Sequence, residues 1–148
     1  MRAVVQRVLQ ASVSVEGELI SQIGKGFMVL VAVMDGDTPA DIGYIAKKLC
    51  ALRVFEDEDG KMNRSITDVG GRMLIISQFT LAGDARKGNR PGFTASAQPD
   101  IAQEYYDLLC DSVSKTVPVE KGIFAADMQV ALINDGPVTI LLDSGKLF

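Results

Sequence analysis

The pattern that most constrains the fold is a series of strand-type segments separated by short turns. Branched residues alternate with polar ones over residues 3–15, which is typical of a strand with one buried face. Glu16-Gly17 and Gly24-Lys25-Gly26 have turn composition, and the uncharged run Phe27–Met34 predicts a strand that is buried on both faces. The N-terminal third of the chain is therefore predicted to form sheet.

Two segments have helical spacing and recognisable helix starts. Thr38-Pro39 is typical of a helix start, and apolar residues follow at helical spacing as far as Cys50. Pro99 begins a second helix, whose predicted apolar face consists of Ile101, Ala102, Tyr105, Leu108, Leu109 and Val113. Each helix has one apolar stripe, so both are expected to cover the sheet.

The rest of the chain adds short strands. They are predicted at Leu52–Phe55, Met73–Phe79, Val117–Val119, Met128–Asn134 and Val138–Leu142. Between the last two, Asn134-Asp135-Gly136-Pro137 has the composition of a tight hairpin turn. No segment resembles a linker, a repeat or a nucleotide-binding glycine loop. We therefore predict a single α+β domain over residues 1–148, with a largely antiparallel, barrel-like sheet and two main helices packed on it.

Charge and hydropathy limit the partners and the location. A net charge of −4 opposes general binding to DNA or RNA unless the cations are concentrated at one place. The longest segment without a charge, Met73–Gly83, is far shorter than the roughly 20 residues that span a bilayer. Arg7 interrupts what would be the apolar part of a signal peptide. We expect a cytoplasmic protein with no membrane or DNA partner.

The chain contains no histidine, which excludes histidine-dependent nucleophiles, histidine bases and HExxH zinc sites. Cys50 and Cys110 lie on the apolar sides of helical patterns and are predicted to be buried free thiols, with a disulfide or a shared metal site as the alternative. The acidic turn Glu56–Gly60 lacks the ligand spacing of a calcium loop. We expect no metal and no cofactor.

Polar groups gather at Ser77-Gln78-Phe79-Thr80, at the end of a predicted buried strand. Strand ends present side chains and free N–H groups to ligands. The alternative is a strand end whose polar side chains satisfy loose backbone groups.

The segment 83–92 carries three cations, Arg86, Lys87 and Arg90, and one acid, so its local charge is +2. Such a loop can bring donors to phosphate oxygens, and an ordinary solvated loop is the alternative.

The turn at Gly136-Pro137 is unusual because proline removes a ladder donor at the start of a strand. The cis form of a Gly-Pro bond is energetically accessible. Such a tip could present two carbonyl oxygens in fixed directions, and an ordinary hairpin turn is the alternative.

A set of segments spread over nearly the whole chain matches one known family pattern. They are Ala3–Val8, Ala11–Val13, Gly60–Asn63, Ser77–Leu81, Arg90-Pro91, Phe124–Val130 and Asn134–Thr139. In these segments the chain resembles the D-aminoacyl-tRNA deacylase family, and the SQxT and GPVT elements in this order are specific to it. One local departure is Gly92, where the pattern has serine.

The resemblance implies a metal-independent homodimer that hydrolyses the ester of D-aminoacyl-tRNA, and of alanine tRNA charged with glycine, and rejects L-amino acids. A cis Gly136-Pro137 would reach the partner's pocket and face the α-amino group with its carbonyl oxygens, while Arg7 would brace the partner's turn. The pocket floor, which holds the ester mainly through backbone N–H groups, would be Ser77, Gln78, Phe79 and Thr80. Val138, Thr139, Phe124 and Met128 would complete substrate binding. A local basic loop on an acidic chain suits a partner that is bound at one end, so we expect Arg86, Lys87 and Arg90 to bind the acceptor end of the tRNA.

Two other functions remain open from the residues alone. Thr80 could be a nucleophile with Lys87 as its base, as in a conventional hydrolase. The basic loop could instead belong to a non-catalytic RNA-binding module, but with 6% aromatic residues and no tryptophan the stacking signal is weak. An aminoacyl ester is already activated, so oriented water, oxyanion donors and the substrate's own 2′-OH suffice for hydrolysis.

Overall fold

The structure, a computed structural model, describes residues 1–147. The elements in chain order are β1 (Arg2–Val15), β2 (Glu18–Ile23), β3 (Gly26–Ala32), α1 (Pro39–Ala51), β4 (Phe55–Glu56), β5 (Met62–Arg64), β6 (Arg72–Ser77), a 3₁₀ helix (Phe79–Ala82), α2 (Pro99–Ser114), β7 (Val119–Lys121) and β8 (Gln129–Asp143). Strands β4 and β7 begin a few residues later than the sequence predicts.

The long strand β1 organises the sheet because it has neighbours along both edges. Its first part is antiparallel to β3 and its second part to β2, while β8 is antiparallel to β1 over most of its length. Strands β6 and β7 extend the sheet from β3 in parallel orientation. The Ser21 hydroxyl on β2 donates to the Lys121 carbonyl oxygen on β7 at 2.8 Å, so the mixed sheet curls into a nearly closed barrel. The predicted α+β class, with a barrel-like sheet and two helices, is confirmed.

Successive side chains on the central strands point to opposite faces of the sheet and belong to two separate hydrophobic cores. On β3, Phe27, Val29 and Val31 face the helices, whereas Met28 belongs to the barrel interior. Strand β6 behaves in the same way, with Met73 and Ile75 toward the helices and Leu74 and Ile76 inside the barrel. Burial on both faces explains why these two strands lack polar alternation.

The start of α1 is as predicted. Thr38 is the N-cap, and its N–H donates to the Asp41 carboxylate at 2.7 Å. Pro39 occupies the first helical position, which requires no N–H donor. No helix within residues 1–147 is both long enough and apolar enough to cross a membrane.

The predicted apolar face of α2 is partly wrong. Ile101 and Leu108 are 41% and 43% exposed. The buried residues are Ala102, Tyr106, Leu109, Cys110 and Val113. The difference arises because the Tyr106 hydroxyl keeps a hydrogen-bond partner when it is buried. It donates to the Ile75 carbonyl oxygen at 2.7 Å.

The predicted hairpin at residues 134–137 is also wrong. Strand β8 pairs with β1 on both sides of this segment, with Thr139 opposite Gln6 and Asn134 opposite Val8. Residues 135–138 therefore bulge out opposite a single residue, Arg7, and form what we call the 135–138 protrusion. The Asn134 amide closes its base by donating to the carbonyl oxygens of Arg7 at 3.0 Å and Val138 at 2.9 Å.

Both cysteines are free thiols. Cys110 is buried and Cys50 half-buried, and burial raises the pKa of both, to about 11 for Cys110. Neither thiol is activated as a nucleophile at neutral pH.

Candidate active site

A cavity of about 630 Å³ opens where β6 ends. Its walls come from the end of β6 and the following 3₁₀ helix, the chain around the start of α2, and the segment between β7 and β8. The predicted site residues among its lining are Ser77, Gln78, Phe79, Phe124 and Met128. A cleft of similar volume, about 660 Å³, between β1, β2 and β8 contains none of the predicted residues.

The floor of this cavity offers backbone donors. The Gln78 N–H is occupied, because it donates to the Val31 carbonyl oxygen at 2.7 Å. The next two N–H groups, of Phe79 and Thr80, begin the 3₁₀ helix, and within residues 1–147 neither has a backbone acceptor. An N–H group without an acceptor can donate to a bound oxygen atom, and of these two residues Phe79 lines the cavity.

The Thr80 side chain is not part of the cavity lining. It is exposed and is not among the residues that surround the cavity. Its Oγ1 accepts a hydrogen bond from Gln78 Nε2 at 2.5 Å. Lys87, the base that a Thr80 nucleophile would need, makes no hydrogen bond to Thr80 in the part of the chain described.

Three aromatic rings, those of Phe79, Phe93 and Phe124, line the cavity. Phe79 and Phe93 meet edge to face at 5.2 Å between ring centroids. Behind Phe124 lies Tyr106, 6.3 Å away between centroids. Burial raises the pKa of the Tyr106 hydroxyl above its usual range, so this group stays a neutral donor to Ile75 and supports the wall.

Arg7 holds the 135–138 protrusion of its own chain, whereas the resemblance implies a contact to the partner's turn. The side chain is 5% exposed, and its Nε donates to the Asp135 carbonyl oxygen at 3.2 Å. Its Nη1 donates to the Val54 carbonyl oxygen at 2.6 Å and to the Glu56 carboxylate at 3.0 Å. Hydrogen bonds from the Glu56 backbone and from Arg7 lower the pKa of Glu56.

The tip of the protrusion requires glycine. Gly136 has φ +124°, and a Cβ there would lie 2.8 Å from the Val138 side chain and 3.1 Å from Arg7 Nη2. The Gly136–Pro137 peptide bond is cis. Gly136, Pro137 and Thr139 are exposed and Val138 is buried. None of these residues, nor Arg7, lines the cavity of the same chain.

The basic loop is closed and partly neutralised. Asp84 and Gly92 exchange two backbone hydrogen bonds of 2.8 and 2.9 Å. Gly92 therefore closes the loop with its backbone groups. The Arg86 guanidinium donates twice to the Asp84 carboxylate, at 2.9 and 2.7 Å, and lowers the pKa of Asp84 to about 2. Lys87 and Arg90 make no ion pair within residues 1–147. Of the three predicted phosphate ligands, two are therefore unpaired.

Sequence reasoning missed the wall opposite β6. It includes Phe93, residues 96–99, and Ala125 to Asp127. Ala125 has φ +62°, a conformation that is rare for residues with a side chain. Only the family similarity of Phe124–Val130 pointed to this segment. No group of three or more metal-ligating side chains occurs in residues 1–147.

Comparison with known proteins decides the family. Residues 4–143 match the family described as D-Tyr-tRNA(Tyr) deacylase. The chain belongs to this family. The D-aminoacyl-tRNA deacylase of Chlorobaculum tepidum is 53% identical over 148 residues, which is 99% of each chain. The resemblance found in the sequence is thus confirmed, and the protein is an enzyme of the deacylase family, a hydrolase of tRNA esters.

Two solved structures are similar to this chain over nearly its whole length. A protein described as c-Myc DNA Unwinding Element Binding Protein is 43% identical, with a TM-score of 0.92 over 97% of this chain and 98% of that one. A probable eukaryotic D-amino acid tRNA deacylase, 20% identical, has a TM-score of 0.81 over 95% of this chain and 97% of its own. The second likeness shows that the fold is shared.

Proposed function

We propose that the protein hydrolyses the ester bond of D-aminoacyl-tRNA in the cytoplasm, releasing a D-amino acid and free tRNA. It also clears glycine from alanine tRNA and leaves L-aminoacyl-tRNA intact. The observation that carries this proposal is the chain at the end of β6, beside the cavity, where the N–H groups of Phe79 and Thr80 have no backbone acceptor within residues 1–147 and the lining has one ionisable side chain among the described residues, Asp127. Such a site suits an activated ester, which needs orientation and oxyanion donors more than a strong base.

A second copy of the chain completes the site. The tip at Gly136-Pro137 is exposed, and it lies six residues along β8 from Val130, which lines the cavity. At about 3.3 Å per strand residue, this is roughly 20 Å, too far for the tip to serve its own cavity. On either side of the protrusion, β8 exposes Ile133 (48%) and Leu141 (52%). A two-fold interface on this apolar face would bring each tip to the other copy's cavity.

The preference for D-aminoacyl esters then follows from rejection of the L side chain. If two carbonyl oxygens of the partner's tip fix the α-ammonium and the floor fixes the ester, the direction of the third substituent is determined. A D side chain points to open space, whereas an L side chain points into the wall. Glycine has no side chain to reject, so it is hydrolysed as well.

The chemical step uses water positioned by the substrate. The free 2′-OH of the terminal adenosine lies beside the 3′-ester and orients the attacking water, while the N–H groups of Phe79 and Thr80 stabilise the oxyanion. A Thr80 nucleophile is disfavoured, because its hydroxyl is exposed and accepts from Gln78 Nε2. Its proposed base, Lys87, lies in an exposed loop and makes no hydrogen bond to Thr80 within the described residues.

The tRNA approaches along the basic loop. Lys87 and Arg90 are exposed and unpaired within the described residues, between two segments that reach the cavity mouth. They suit the phosphates of the acceptor end. The name of one similar structure states DNA binding for that protein. A net charge of −4 with few, local cations does not suit general DNA binding by this chain.

Ester loss from D-Tyr-tRNA and L-Tyr-tRNA, measured side by side, tests the proposal. We expect rapid loss of the D-ester and loss of the L-ester at the uncatalysed rate. A chain that binds both substrates and hydrolyses neither is an RNA-binding module. Equal hydrolysis of the two would remove the chiral part of the proposal.

A further inference from the structure

The 3₁₀ helix Phe79–Ala82, which brings Phe79 to the cavity, is only four residues long. The chain before it is anchored because the Gln78 N–H donates to the Val31 carbonyl oxygen at 2.7 Å, and the Leu81 N–H donates to the Gln78 carbonyl oxygen at 3.3 Å. So short a helix forms few hydrogen bonds of its own, so its position depends on contacts from the rest of the fold. The position of the Phe79 N–H beside the cavity depends on those contacts as well.

Arg2, at the start of β1, supplies such a contact at the far end of the 3₁₀ helix. Its Nη1 donates to the Leu81 carbonyl oxygen at 3.0 Å, and its Nε donates to the Asp143 carboxylate at 3.3 Å. Arg2 and Asp143 lie opposite each other in the β1–β8 pair, and their side chains are 28% and 10% exposed. Within residues 1–147, Arg2 is the one hydrogen-bond donor to the Leu81 carbonyl oxygen. The 3₁₀ helix is therefore tied to the two longest strands of the sheet.

This hydrogen bond is of a strong kind. Arg2 carries a full positive charge, and a charged donor binds a carbonyl oxygen more strongly than a neutral donor does. Partial burial of Arg2 and Asp143 reduces competition from water. The planar guanidinium also fixes direction, because its Nε and Nη1 bind two partners at once.

We propose that Arg2 is a positioning residue for ester hydrolysis: it holds the 3₁₀ helix against the sheet and so fixes where the Phe79 N–H meets the ester oxygen. The inference rests on the proposed function. Arg2 itself does not line the cavity, so it acts on the substrate only through the 3₁₀ helix. A donor whose bond strengthens as charge develops on the oxygen lowers the barrier more than it tightens binding. A loosened 3₁₀ helix should therefore lower kcat and leave KM nearly unchanged.

Two measurements on the full chain test this role. Amide hydrogen exchange reports how firmly the N–H groups of Leu81 and Gly83, which donate to carbonyl oxygens three residues earlier, are held. Initial rates on D-Tyr-tRNA give kcat and KM, with kcat expressed per folded molecule from urea unfolding of the same preparation.

The variants separate the role of Arg2 from a general loss of charge. Arg2→Met removes both hydrogen bonds at similar side-chain length, Arg2→Lys keeps one charged donor, and Asp143→Asn weakens only the second anchor of the guanidinium. Arg72→Met is the matched control. Arg72 also begins a strand and forms an ion pair, with Glu120 at 3.2 Å, but its side chain donates to no backbone carbonyl group in the described residues and lies outside the cavity.

In Arg2→Met we expect amide exchange of Leu81 and Gly83 to be about tenfold faster, kcat to be about tenfold lower and KM to stay within about twofold of the parent value. Arg2→Lys should recover most of kcat. Asp143→Asn should show the same changes at about threefold. Arg72→Met should match the parent chain in all three quantities.

Parent-like amide exchange or a parent-like kcat in Arg2→Met would overturn the inference. A higher KM at unchanged kcat would overturn it too, because Arg2 would then be a tRNA-binding residue. If Arg2→Met does not fold, the same outcomes in Asp143→Asn decide. Absence of D-Tyr-tRNA hydrolysis by the parent chain would remove the proposed function and this role with it, whereas failure of the inference alone leaves that hydrolysis intact.

Discussion

Nε of Arg7 donates to the carbonyl oxygen of Asp135 at 3.2 Å, which joins the middle of β1 to the base of the protrusion on β8. The same guanidinium donates to the Val54 carbonyl oxygen and the Glu56 carboxylate, so a buried cation joins the protrusion to the chain around β4. A buried charge needs such partners, and its partners in turn depend on it.

Replacing Arg7 with lysine should therefore impair both activity and stability. The ammonium cannot reach Asp135, Val54 and Glu56 together, so the tip loses its support. We expect about a hundredfold lower kcat/KM for D-Tyr-tRNA and a loss of about 2–4 kcal/mol in the free energy of unfolding. Urea unfolding and initial rates measure both. Arg53→Lys, at an exposed arginine outside the site, serves as the control and should match the parent chain.

Thr80→Ala should retain most of the activity, because its hydroxyl lies off the cavity. We expect a loss of about tenfold, or roughly 1.4 kcal/mol, through release of the Gln78 side chain. A substrate that ends in 2′-deoxyadenosine should be hydrolysed far more slowly by the unmodified enzyme. An inactive Thr80→Ala protein combined with normal rates on the deoxy substrate would make Thr80 the nucleophile.

The pH response of the basic loop follows from Asp84. Its pKa is lowered from 3.8 to about 2 by Arg86, so the Asp84–Arg86 pair is intact above pH 4 and is lost as pH falls through about 2. Carbon-13 NMR of the Asp84 carboxyl group should show this midpoint. Arg86→Ala should raise the midpoint toward 3.8, while the backbone N–H of residue 86 still donates to the carboxylate, whereas Arg90→Ala should leave the midpoint in place. A midpoint near 3.8 in the parent chain would mean that the pair does not form.

Salt dependence should distinguish the three cations of the loop. Lys87→Ala and Arg90→Ala should each raise KM and reduce the salt slope of tRNA binding by about one, because each removes a phosphate contact. Arg86→Ala should have a smaller effect, since its charge is already balanced by Asp84. Binding of uncharged tRNA between about 50 and 200 mM salt measures the slopes. Identical slopes in all four proteins would place the tRNA path elsewhere.

Much of the fold could be predicted from the sequence because the alternation of apolar and polar residues along a strand indicates which of its faces is buried. The double burial of β3 and the start of α1 at Pro39 follow from local residues. The face of α2 could not be assigned reliably, since the burial of Tyr106 depends on a carbonyl group from β6. The signature of a tight turn at residues 134–137 likewise does not reveal that its two flanking strands pair with β1 instead of with each other.

The candidate site was predictable in part for a similar reason. Its floor lies at the end of one strand, where local polarity marks it. The opposite wall, with Phe93 and Asp127, is brought to the floor only by the tertiary fold. No residue spacing in the sequence indicates that these two segments lie close together. Phe124 and Met128 were predicted only from the family pattern.

The central claim is that the tip of one copy completes the cavity of another. Two variants test this claim, one that damages the tip and one that damages the cavity. Gly136→Ala introduces a Cβ that clashes with Val138 and Arg7, and Ala126→Trp fills the cavity. Each protein alone should be nearly inactive. Gly17→Ala, at a glycine of positive φ in open space, controls for backbone strain and should stay active.

The decisive measurement is the rate of D-Tyr-tRNA hydrolysis after the two inactive variants are mixed, unfolded together and refolded. A mixed dimer joins the intact tip of one chain to the intact cavity of the other, so one of its two sites is whole. With random pairing we predict recovery of about a quarter of the parent activity. Activity that stays at the level of the separate variants, in a mixture shown to contain mixed dimers, would contradict the account.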